Sequence, residues 1–245
     1  MAVTEKKPDD PYRRLIEIGR LIETGALEWN RPVIESAIRM IDELEPEPRS
    51  YYYRALAEYR LSIFHMRKDR REFRSHVRKG LSAIKVSMSW GGPSSDELAL
   101  FGLLRDLRTT FSFAVRFDES RALRAIAAAK SMSPLNPRAH LAEGIFYFRR
   151  ADRKSVFAEH SFRSLSRAYE LYEKEEREER KIRDDFGWGR EETVVWLALA
   201  MKSRGDRAGA FNKLRESLAR SRNHAWAKYE LAVLTGNTQH IAPPK

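Results

Sequence analysis

Apolar residues recur at steps of three and four along almost the whole chain, the spacing that gathers them on one face of an α-helix. Leu15, Ile18 and Ile22 open the series, followed by Ile34, Ile38 and Ile41, then Tyr53, Leu56 and Leu61, then Val77, Leu81 and Ile84. The later stripes are Leu98, Phe101 and Leu107; Ala122, Ile126 and Ala129; Ser161, Leu165 and Ala168; and Ala210, Leu214 and Ser217. Between the stripes stand residues that start or stop helices: Asp9-Asp10-Pro11, Asn30-Arg31-Pro32, Glu45-Pro46-Glu47-Pro48, Trp90-Gly91-Gly92-Pro93, Asn136-Pro137 and Gly205-Asp206. Proline fits the first helical turn and disfavours helix for the residue before it. Ser94-Ser95-Asp96-Glu97 carries capping chemistry and predicts a fresh helix start. The pattern predicts an all-α chain of consecutive helix pairs.

One stretch sets the register. From Glu191 to Glu230 two helical patterns meet at Gly205-Asp206, and the Leu197-Ala198 pair returns as Leu231-Ala232, 34 residues on. Small residues where two helices of a unit must approach closely are Gly19, Ala57, Gly102, Gly144, Ala198 and Ala232, at spacings of 38, 45, 42, 54 and 34, of which only the last is regular. A period of 34 and a small residue at that position resemble the tetratricopeptide repeat. The resemblance implies a right-handed α-solenoid of about five helix–turn–helix pairs plus a capping helix. Residues 1–10 would be a tail, 11–236 one solenoid domain and 237–245 a second tail. It also implies a non-catalytic scaffold that binds a protein or peptide segment in a concave groove lined by the first helix of each pair. The irregular units are similar, too, to bacterial repeat proteins that accompany transport systems, such as the T component of TRAP transporters; that likeness implies an accessory ligand-binding role in transport.

The register nominates groove positions: Arg20 in the first unit, Tyr51 and Arg54 in the second, Arg138, Leu141, Ile145, Phe148 and Arg149 in the fourth, and Leu199, Lys202, Trp226 and Tyr229 at the C-terminal end. Some relatives grip a C-terminal carboxylate with Lys and Asn four apart on one helix. The matching pairs here, such as Arg54/Glu58 and Leu141/Ile145, lack that clamp. An apolar or amphipathic segment suits the groove better. Alternatively, Leu141, Ile145 and Phe148 pack against neighbouring helices of a tightly wound stack.

Charge adds a second surface. The 245 residues carry a net charge of +11, which favours acidic partners. Arg67, Lys68, Arg70, Arg71 and Arg74 crowd the turn inside the second unit. Arg150, Arg153 and Lys154 fall in the corresponding turn of the fourth, and Arg204 and Arg207 in that of the fifth, while Arg116, Arg121 and Arg124 lie near that of the third. Stacking would align these turns as a basic edge able to meet RNA or another polyanion. The alternative is that cations favour helix C-termini and keep turns soluble.

Other chemistries find no support in the pattern. The chain has no cysteine, hence no disulfide, thiolate ligand or cysteine nucleophile. The glycines at 91, 92, 187 and 189 sit at helix breaks without the Lys-Ser/Thr that follows a phosphate loop, and the six histidines show no metal spacing. The expectation is therefore no catalytic residue, no metal and no cofactor. Tyr51-Tyr52-Tyr53 and Phe146-Tyr147-Phe148 could stack bases, but helical spacing favours a place in the core. No apolar run reaches the ~18 residues of a membrane span. The first residues lack the apolar core of an export signal, so the sequence reads as cytoplasmic, or as exported if a signal has been removed.

Overall fold

The structure is a computed structural model that describes residues 11–179 and 187–237. The proposed tails, 1–10 and 237–245, lie outside these residues except for Asn237, as does the middle of the charged run after the fourth unit. The described residues form α1 (Pro11–Leu27), α2 (Arg31–Asp42), α3 (Pro48–His65), α4 (Arg70–Ser89), α5 (Ser95–Arg108), α6 (Val115–Met132), α7 (Pro137–Phe148), α8 (Ser155–Glu179), α9 (Arg190–Ser203), α10 (Arg207–Arg220) and α11 (Ala225–Thr235). Among the described residues no strand occurs, and no helix is long and apolar enough to cross a membrane.

The starts obey local rules. Pro48 and Pro137 occupy the first turns of α3 and α7. Asp69 caps α4 by accepting from the N–H groups of Arg71 and Glu72, and Ser94 and Glu97 close a reciprocal capping box on α5. Ser94 thus serves as a cap, satisfying amides that the helix leaves orphaned.

Helices pair in chain order: α1 with α2, α3 with α4, α5 with α6, α7 with α8 and α9 with α10, with α11 last. Each odd-numbered helix also touches the next odd-numbered one, so these helices form a continuous inner row. Within α5 and α6, Ser95 bonds Ala129 while Arg105 bonds Asp118, which makes the pair antiparallel. Two small residues of the register, Gly102 and Gly144, are points of close approach; in the first pair a Cβ on Gly25, outside the register, would lie 2.6 Å from Ile34. A Cβ on Gly102 would lie 2.6 Å from Ile126, and one on Gly144 would lie 2.5 Å from Leu165. Ala57, Ala198 and Ala232 are buried likewise. One apolar core runs from Leu15 in α1 to Ala200 in α9, and a smaller one joins α9, α10 and α11.

Candidate functional site: an aromatic pocket where the two ends meet

The inner row is not an open trough. The segment before α9, Gly187-Trp188-Gly189, runs along its interior. Trp188 is buried; its indole N–H donates to the Tyr52 hydroxyl, and its carbonyl accepts from the Tyr172 hydroxyl at 2.7 Å. Gly189 has φ 91°, a conformation L side chains rarely adopt. A Cβ there would lie 2.7 Å from the Tyr172 hydroxyl and 2.8 Å from Leu141. This strap therefore covers positions that the register assigns to the groove.

Beside the strap, side chains of α1 and α3 meet α9. Arg60 of α3 donates from Nε and Nη2 to Glu23 of α1 at 2.7 and 2.9 Å, and from Nη1 to Glu192 of α9. The Tyr59 hydroxyl and the Trp196 indole donate to the other Glu192 oxygen at 3.0 and 3.2 Å. Gly189 N–H donates to Glu23 at 3.3 Å. Burial works against the Arg60 charge, but Glu192 and Glu23 outweigh it and hold the guanidinium above its ordinary pKa. Burial, then Glu192, raises the Tyr59 pKa, so its hydroxyl stays a donor. Asn223, beyond α10, donates to Glu28 near the end of α1 at 3.1 Å.

A pocket opens over this ion triad. Its polar floor is Glu23, Arg60, Glu192 and His224, and its walls include Trp29, Ile63, Phe64 and Trp226. The ionic groups of the floor are paired: Arg60 spends its donors on two carboxylates, and both carboxylates accept several bonds. His224 is held to a pKa of about 4 by burial, with nearby Glu192 pulling the other way and Arg60 adding to the effect. The imidazole is thus neutral. Its Nδ1 lies 2.7 Å from Ser217 Oγ, which donates its own proton to Glu191 at 3.0 Å. Nδ1 therefore carries the histidine proton. The order acid–serine–histidine differs from a nucleophilic triad, where histidine stands between the other two, and Ser217 is fully buried.

The pocket measures about 50 Å³, on a scale where one water needs roughly 10–15 Å³. That is room for a side chain. Trp29 reaches it from an unusual backbone position, φ 56°. Asn30 N–H donates to Gly25 C=O and Trp29 N–H to Ala26 C=O, the paired bonds that end a helix where glycine is usual. Holding tryptophan there costs about 1–2 kcal/mol. It places the indole stacked against Phe64, with ring centroids 5.6 Å apart. From Trp226 an aromatic row continues along the inner helices: Trp226 to Trp196 at 5.1 Å, and Trp196 to Phe148 at 5.2 Å.

The sequence-derived groove residues divide accordingly. Phe148 and Trp226 meet through Trp196 and stay half-buried. Leu141 and Ile145 are buried and present no surface. Arg138 is buried between Asp96 and Glu175, 3.7 and 3.4 Å away. Arg54 pairs with Asp42 and Glu58, and Arg149 with Asp106. Tyr51, Leu199, Lys202 and Tyr229 are partly buried, and Arg20 is exposed. Of the aromatic triplets, Tyr53 and Phe146 are core. Sequence reasoning missed Glu23, Trp29, Arg60, Phe64, Trp188, Glu192 and His224. The one signal available was the Gly-Trp-Gly of 187–189, which reads locally as a helix break.

The basic-edge residues divide too. Arg150 is buried against Asp106 and Glu119, Arg153 meets Glu119, and Arg204 meets Glu159. Arg207 donates to the Leu234 carbonyl, and Lys154 lies over Phe157. Lys68 lies over Phe64 and Arg74 over Phe111, while Arg67, Arg70 and Arg71 are exposed. The cations of the α7–α8 turn and Arg204 are largely neutralised; those of the α3–α4 turn are not. Among the described residues no three His, Asp or Glu side chains are grouped to hold a metal ion.

No protein-family model matches the chain, and no curated protein matches it.

Proposed function

We propose that the chain is a non-enzymatic scaffold of tetratricopeptide-like, right-handed helix pairs that binds a protein or peptide segment on its inner face. An apolar side chain of that segment enters the pocket between Trp29, Phe64 and Trp226. The observation that carries this reading is an apolar-walled pocket whose charged floor groups are already paired with one another. A charged ligand would find no unpaired opposite charge among the described lining residues, whereas an apolar one gains by leaving water. Fully burying a Leu or Phe side chain is worth about 1.5–3 kcal/mol. The aromatic row from Trp226 to Phe148 extends the contact beyond one side chain, which favours a segment over a small free molecule.

Selection from a display library of random segments on the immobilised protein tests this. Enriched segments should share a Leu, Phe or Trp anchor. They should bind at least about tenfold more weakly to Ala26→Phe, which fills the pocket, as the loss of one buried side chain requires. Failure to enrich any segment, or equal binding to Ala26→Phe, would contradict the proposal.

A further inference from the structure

Unneutralised charge collects on a second face, built from α4, α5 and α6. There Lys85, Arg105, Arg121 and Arg124 line one open concavity floored by Phe101 and its neighbours. Among the described residues, Lys85, Arg121 and Arg124 have no ion-pair partner, and all three are exposed. Asp118 is shared between two arginines: Arg105 Nη1 donates to it at 2.8 Å, and Arg108 Nε lies 3.4 Å from its other oxygen. Arg105 itself is 3 % exposed, stacks over Phe101 at 5.0 Å and has an Nε with no partner. Two arginines on one aspartate, beside three unpaired cations, leave the concavity strongly positive. Lys85 registers this field. Its pKa is held below the usual lysine range, first by partial burial and then by Arg105, Arg108 and Arg121.

A second feature narrows the ligand. Phe117, on the same face of α6, keeps about half its surface in water, with the Arg121 guanidinium 3.9 Å from its ring centre. Cations alone would serve any polyanion. An exposed ring among them is what an unstacked base requires, and the bases of a duplex are already stacked on one another.

We infer that this face binds single-stranded nucleic acid, with phosphates on Lys85, Arg121 and Arg124 and a base on Phe117. It uses none of the pocket's residues, so the two surfaces can be tested apart.

Fluorescence anisotropy of a labelled oligothymidine against the full chain, at salt from about 50 to about 200 mM, is the direct test. The affinity should fall with salt. Lys85→Gln/Arg121→Gln/Arg124→Gln should flatten the logarithmic salt dependence by about two, at roughly 0.7 per phosphate contact. Phe117→Ala should weaken binding about tenfold with the salt dependence unchanged, as the loss of one stacked base demands. The substituted side chains are exposed, and an unchanged thermal midpoint verifies folding. If the triple variant unfolds, Arg124→Gln alone should flatten the dependence by about 0.7. The inference is overturned by any of four results: no binding at the lower salt; a salt dependence unmoved by the charge variants; wild-type affinity in Phe117→Ala; or equal competition from a duplex of the same length or from inorganic polyphosphate.

Discussion

His224 lies in a setting that cannot hydrate an imidazolium. Burial holds its pKa at about 4 in the folded chain against 6.5 for the free side chain. As pH falls below about 6.5, the unfolded chain takes up a proton that the folded chain refuses until about pH 4. The folded state therefore loses stability through this window, by about 1.4 kcal/mol per pH unit. Integrated over the window, the loss is on the order of 3 kcal/mol. His65 acts in the same direction, chiefly through burial; Glu191, raised by burial, acts in the opposite one. Urea unfolding of the wild type across this range should show the midpoint fall with pH. His224→Gln, whose amide can still donate to Ser217, should show a distinctly flatter dependence. Identical slopes would mean that His224 is hydrated in the folded chain. Nothing in the sequence marks this histidine. Its surroundings come from α3, α9 and α10, and only their meeting makes it buried.

The helices themselves are written in the sequence, because their determinants are local. Three-and-four spacing, proline in the first turn and the Ser94/Glu97 box each act within a few residues. The close approaches at Gly102 and Gly144 are legible for the same reason, since a small residue in the register admits the partner helix; the one at Gly25 against Ile34 falls outside that register. Gly144→Ala tests that reading against helix propensity. Propensity alone favours alanine over glycine by about 1 kcal/mol. The added methyl, however, would lie 2.5 Å from Leu165 Cγ and 3.2 Å from its backbone nitrogen. Overpacking of this kind costs about 1–3 kcal/mol. Gly144→Ala should therefore lower the urea midpoint, whereas Gly91→Ala, with no atom within 4 Å of the added carbon, should leave it unchanged. The strap at 187–189 was not legible. Its glycines signal a break, and only the three-dimensional course of the chain turns that break inward over Leu141 and Arg138.

At the scale of the molecule, the stack winds far enough for its two ends to touch. Glu23, Arg60 and Glu192 come from three different helix pairs, so their meeting depends on the curvature summed over every pair between them. No sequence window spans that distance. The triad is a poor source of net stability, because desolvating three charges offsets their attraction. Breaking it is another matter. Arg60→Leu would leave Glu23 and Glu192 buried together without a cation, and should cost about 3–5 kcal/mol in urea unfolding. A change below about 1 kcal/mol, the range of solvated surface pairs, would mean that water already screens them. The same closure turns a broad inner face into a small pocket with an aromatic row leading from it. Hydrogen exchange of the full chain, with and without a segment selected on it, tests the functional account most directly. The account predicts slower exchange at the end of α1 through Trp29 and in the first turns of α11 around Trp226, with α4 and α6 unchanged. Protection confined to α4 and α6, or absent from α1 and α11, would contradict it.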